Sequence, residues 1–79
     1  MKVKLSDMKL RETGTIQSIK TENLHDMRIL EMGFVQGEKI TVTGFAPLGD
    51  PMEVRILDYS ISLRKSDSEN ILIQTGKQA

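Results

Sequence analysis

Cysteine and tryptophan are both absent from this 79-residue chain, and its aromatic side chains stop at two Phe and one Tyr. Without Cys there is no disulfide, no thiolate metal site and no thiol nucleophile, so packing alone must hold the fold. The margin is thin, because a domain of this size buries only about 60% of its unfolded-chain surface. Net charge is lacking too: Lys plus Arg and Asp plus Glu both number 11. Nucleic-acid binders rest on a basic footprint that releases counterions, and on stacking rings, so no nucleic-acid partner is expected. No apolar run reaches the ~18 residues that span a bilayer, so direct membrane insertion is not expected either. The segment Met1 to Asp7 lacks the apolar core of a signal peptide, which makes the cytoplasm the expected location. No repeat, linker or low-complexity tract divides the chain. One domain over residues 1–75 is expected, with 76–79 a frayed polar tail and Gln74 to Ala79 polar throughout.

What is present is an aliphatic pattern that changes period along the chain. Thr15 to Lys20 is β-rich after a turn signal at Thr13-Gly14 and predicts a strand. Asn23 to Met32 predicts a helix, with Asn23 as N-cap, Asp26 at the capping-box position and Gly33 as the left-handed stop. At about 100° per residue, Leu24, Met27, Leu30 and Phe34 share one stripe, while Ile29 and Met32 project from the other side. Glu38 to Phe45 alternates as a strand entered at Gly37, and Gly44 within it predicts a bulge. Met52, Val54 and Ile56 alternate against Glu53 and Arg55. A turn at Leu57 to Ser60 leads to the alternating Tyr59, Ile61 and Leu63. Ser66 to Ser68 predicts a helical turn, and Ile71 to Ile73 a last short strand. Five short strands leave exposed edges unless the sheet curls. The expected fold is therefore mainly β: a small SH3-like barrel of about five strands, one inserted helix, and a short helical turn before the last strand.

Catalytic signals are missing. No Ser-His-acid order stands out, and the six Gly residues form no phosphate-cradling loop, so no enzyme is expected. The single His, His25, has Glu22, Asp26 and Glu31 near it in sequence, and Asp50 and Glu53 could add oxygens. These are not ligand-spaced, and Asp26 is better used as a cap. No cofactor is expected, with a surface divalent metal the weak alternative.

Three features point instead to a docked partner. Ala46, Pro47, Leu48, Gly49, Asp50 and Pro51 form a stiff connection in which Pro fixes φ and Gly permits positive φ. Stiffness accounts for Pro47, Gly49 and Pro51 but not for Leu48, an apolar side chain at an expected loop tip. Ile29 and Met32 either lie under the N-terminal segment around Leu5, Met8 and Leu10, or form an apolar patch for a partner or for self-association. Arg64 and Lys65 are either a solvated strand face or a meeting point for an acidic partner surface.

Taken in order, Met32-Gly33-Phe34-Val35-Gln36-Gly37, the loop Ala46-Pro47-Leu48-Gly49-Asp50-Pro51, and Ser62-Leu63-Arg64-Lys65 resemble the FeoA family. The likeness runs from about Leu5 to Ile73. Each motif alone is weak, and the ordered set is specific. The chain departs from that family's frequent Pro-Gly at Leu10-Arg11, from its frequent hairpin Gly at Asp58, and from its frequent Glu-Ala at Asp67-Ser68. The resemblance implies an SH3-like barrel in the cytoplasm and a non-enzymatic role in ferrous iron transport. It also implies a partnership with FeoB, the membrane Fe(II) transporter with a cytoplasmic GTP-binding domain. The alternatives are a nucleic-acid-binding barrel and a regulatory domain like that of iron-dependent repressors, which fold analogy alone would not separate.

Overall fold

The computed structural model describes residues 1–75. The frayed tail expected at 76–79 lies outside them. Six antiparallel strands form one sheet: β1 (Lys2–Lys4), β2 (Thr13–Ile19), β3 (Lys39–Phe45), β4 (Met52–Ile56), β5 (Tyr59–Leu63) and β6 (Ile71–Gln74). Their spatial order is β1-β6-β2-β3-β4-β5. Alternation turns Ile16, Ile40, Val42, Met52, Val54, Ile56, Leu63, Ile71 and Ile73 to one side, where they meet Leu5, Met8, Leu24, Ile29 and Phe34 in a single core. Two register shifts bend the sheet around that core. One lies between Ile16 and Ser18 against β6, and the other between Val42 and Gly44 against β4. The second is the bulge that Gly44 predicted.

Two features of the sheet differ from expectation. β1 was not anticipated, because one apolar residue between two lysines carries almost no strand signal. It forms as an edge strand, with Val3 opposite Ile73, and its lysines suit an edge that must not pair further. Gln74 and Thr75, expected to belong to a polar, fraying end, are held in place as well. Gln74 completes β6, and the buried Thr75 donates its N–H (2.8 Å) and its hydroxyl (3.1 Å) to the carbonyl of Met1.

The expected ten-residue helix is broken. A 3-10 turn covers Thr21–Asn23, Leu24 is extended (φ −75°, ψ 138°), and only α1 (Arg28–Glu31) is α-helical. A second single turn, α2 (Lys65–Ser68), covers the predicted Ser66 to Ser68. The cause of the break is remote in sequence. The carboxylate of Asp67 takes the backbone N–H groups of His25 (2.6 Å) and Asp26 (3.1 Å) and fixes them in non-helical backbone. Asp26 then starts α1, since its Oδ1 accepts the Arg28 N–H at 3.0 Å. The Arg28 guanidinium hydrogen-bonds the same carboxylate and holds it below the usual Asp range. Gly33 ends α1 at φ +100°, as predicted. With the helix reset, Met27 faces solvent and Ile29 is fully buried.

The turn entering β2 carries a residue in left-handed backbone. Arg11 sits at φ 71° and donates its N–H to Val42 O at 2.7 Å. A left-handed backbone strains a residue with a Cβ, and Gly relieves the strain while loosening the unfolded chain. Arg11→Gly is therefore expected to stabilise the fold by about 0.5 kcal/mol. A thermal melt should show a rise of roughly 2–4 °C.

Candidate docking surface

The β3–β4 connection is built to hold one apolar side chain in water. Ala46 and Pro51 close its base, with Ala46 N–H donating to Pro51 O at 2.9 Å. Gly49 turns the tip at φ +89° and donates to Ala46 O at 2.7 Å. Asp50 ties the loop to the rest of the domain, because its Oδ1 accepts the Lys65 N–H at 2.9 Å where α2 begins. Pro47 and Leu48 lie between these clamps, and Leu48 is 97% exposed. Nothing among the described residues shields it, and burial against another surface would remove that apolar area from water.

The same clamp brings Lys65 and its neighbour Arg64 beside the loop. Both are exposed, and neither has an ion-pair partner among the described residues. Phe45, the last residue of β3, is also exposed and leads directly into the loop. Simple alternation puts Phe45 with Thr41 and Thr43, but the bulge at Gly44 shifts it to pair with Met52, and it is exposed because it ends the strand. The tether sets Lys65 beside the loop, with Arg64 next to it in the chain, and Phe45 leads into the loop from β3.

Ile29 and Met32 do not join it as proposed. Ile29 is wholly buried in the core and offers nothing to a partner, and Met32 is half-buried at the end of α1. The patch reading for this pair is corrected. It assumed a continuous helix with two faces, and the break at Leu24 to Met27 turns Ile29 inward instead.

Four of the six residues weighed as metal ligands are otherwise engaged. His25 is largely exposed, and its Nδ1 lies 3.2 Å from Asp67 Oδ1. Asp26 pairs with Arg28, Asp50 with the Lys65 backbone, and Glu53 Oε1 lies 3.4 Å from the Thr43 hydroxyl. Among the described residues, no group of three or more His, Asp or Glu is placed to hold a metal ion.

Comparison with known proteins gives a consistent set. The family model described as the FeoA domain matches residues 3–75. A curated relative, the Fe(2+) transport protein A/Fe(2+) transporter FeoB fusion protein of Porphyromonas gingivalis, is 40% identical over 72 residues. The match takes in 91% of this chain but only 8% of that protein. The solved structure of a FeoA-like protein from Clostridium acetobutylicum superposes with a TM-score of 0.86 at 32% identity, covering 99% of this chain and 91% of that one. The zinc complex of FeoA from Stenotrophomonas maltophilia, described as an SH3 domain protein possibly acting as a ferrous iron transport activating factor, gives 0.75 at 26% identity. It covers 94% of this chain and 89% of that one.

Proposed function

Because the chain belongs to the FeoA family, with an SH3-like fold, we propose that it is a non-enzymatic accessory of ferrous iron transport that docks on a FeoB-type membrane transporter from the cytoplasmic side. The natural joining of the two proteins in one relative supports the pairing, since fused domains work at very high effective concentration. The exposed Leu48 on its clamped loop carries the reading. A loop already fixed by Asp50, Gly49 and the Ala46–Pro51 closure loses little entropy on docking, so the apolar contact is retained as affinity. Phe45 extends the apolar surface, and Arg64 and Lys65 stand at its rim, where charge sets association rate more than affinity. The role is one of contact and uses no resident cofactor. GTP chemistry belongs to the transporter.

Leu48→Asp tests this directly. It places a charge where an apolar anchor should bury, and is expected to weaken binding to a purified FeoB-type cytoplasmic domain by about 30-fold or more. The melting midpoint should stay within about 2 °C, because the side chain touches nothing in the fold. A titration in which Leu48→Asp binds as tightly as the parent removes the loop from the interface. A large fall in the midpoint would show instead that Leu48 supports the fold.

A further inference from the structure

The two edges of the sheet are not alike. β1 presents Lys2 and Lys4, which discourage further pairing, whereas β5 reads Tyr59-Ser60-Ile61-Ser62-Leu63, with no charge and no Pro. β5 pairs only with β4, and among the described residues no backbone hydrogen bond of Tyr59–Leu63 goes elsewhere. A two-residue turn at Leu57-Asp58 makes Ile56 and Tyr59 a hydrogen-bonded pair. Alternation then leaves the N–H and C=O groups of Ser60 and Ser62 pointing away from β4, unpaired.

We infer that β5 pairs antiparallel with β5 of a second copy, about a two-fold axis through Ile61. The sequence around Ile61 is complementary to its own reverse. In that register Ile61 faces Ile61, Ser60 faces Ser62, and Tyr59 faces Leu63. Asp58, the turn residue that leads into β5, then comes near Arg64 at each end of the ribbon. Ile61 and Tyr59 bring apolar surface, the serines bring hydroxyls and the ends bring acid to base, while Leu63 is already buried in its own core and adds little. Ser60 and Ser62 of opposite copies exchange the N–H···O bonds left open on each edge. Arg64 has strand-like backbone (φ −67°, ψ 149°), so the ladder direction continues to its Cα. Asp58 and Arg64 are both exposed, and neither has an ion-pair partner within the described residues. A register shifted by two residues in either direction loses the Asp58–Arg64 match, so charge selects this alignment.

Such a ribbon is smaller than the ~1,200–2,000 Å² of a stable interface, so the dimer is a weak one, with a dissociation constant on the order of 10–100 μM. The test is a charge swap followed by sedimentation equilibrium on the intact chain. The parent is expected to show a reversible monomer–dimer equilibrium that weakens as salt is raised. Asp58→Arg and Arg64→Asp each set like charges near each other at both ends, and each should weaken dimerisation at least about tenfold. Both are surface changes, and circular dichroism melts should confirm folded monomers. Mixing the two variants restores Asp–Arg proximity at both ends, so the mixture should form a heterodimer as tight as the parent dimer, and the double variant should self-associate again. A parent that stays monomeric to millimolar concentration overturns the proposal, and so does a mixture that fails to associate.

Discussion

Asp67→Ala is expected to cost about 3 kcal/mol and to lower the thermal midpoint by on the order of 15 °C. Asp67 is 2% exposed, yet it sits in a single-turn helix of four residues whose exposed neighbours suggest a surface position. Among the described residues, its carboxylate is the only acceptor for the N–H groups of His25 and Asp26, at 2.6 and 3.1 Å. Hydrogen bonds to a charged group contribute roughly 1.5–3 kcal/mol each, and donors left without an acceptor keep their desolvation penalty. The contact also joins residues 41 or more apart in sequence, so its loss frees the segment that places Leu24 and Ile29 in the core. Asp67→Asn separates the contributions. Its single carbonyl oxygen can serve one N–H but not both, so the loss should fall near half that of Ala. Equal midpoints for the parent and Asp67→Ala would mean that packing, not this carboxylate, sets the path from Lys20 to Arg28.

Gly14→Val is expected to be at least as damaging. Gly14 is buried inside β2 opposite Ile40. A Cβ there would collide with the Ile73 methyl and lie 2.8 Å from the Gln74 carbonyl oxygen, where normal contact is 3.4 Å or more. The side chain of Ile73 can give way, but the β6 backbone cannot without breaking its ladder to β2. Overpacking costs about 1–3 kcal/mol in general, and a clash with main chain belongs at the upper end or beyond. Ala should already destabilise by about 2 kcal/mol, and Val should leave little folded protein at 37 °C. Urea denaturation of the two variants would measure the gradient. A midpoint unchanged in Gly14→Ala would show that β2 and β6 can separate locally at no cost.

These two sites also mark where sequence reasoning ran out. Gly14 reads as a turn residue because Gly in a Thr-Gly pair before a β-rich run is ordinary turn chemistry. Only the pairing of β2 with β6 reveals that the missing side chain makes room for Ile73. Asp67 reads as an unremarkable helix-turn acid, since its partners lie far away in the chain. The predicted helix failed for the same reason: Asn23 is a good local cap, and a distant carboxylate overrides it, leaving Asp26 to start a shorter helix. Elements whose signal is local were legible. The alternation of β3 as far as Val42, that of β4 and β5, the bulge at Gly44, the stop at Gly33 and the turn at α2 all stand where period and turn residues put them, while the bulge exchanges the faces of Gly44 and Phe45. The loop was legible as well, because two prolines and a glycine leave Leu48 no route inward. The tether from Asp50 to Lys65 was not, although both residues had been singled out. Of the departures from the family pattern, Arg11 does occupy a left-handed position, whereas in the β4–β5 hairpin the positive φ falls on Leu57 (55°) rather than on Asp58.

The most direct measurement is co-purification from iron-starved cells of the native host. The chain would be tagged, the membranes gently solubilised, and the captured proteins identified for the parent and for Leu48→Asp side by side. The account predicts that a FeoB-type transporter is recovered with the parent and is lost with Leu48→Asp at equal cellular levels of the two chains. Recovery of nucleic acid or a soluble regulator, with no transporter from either chain, would contradict it.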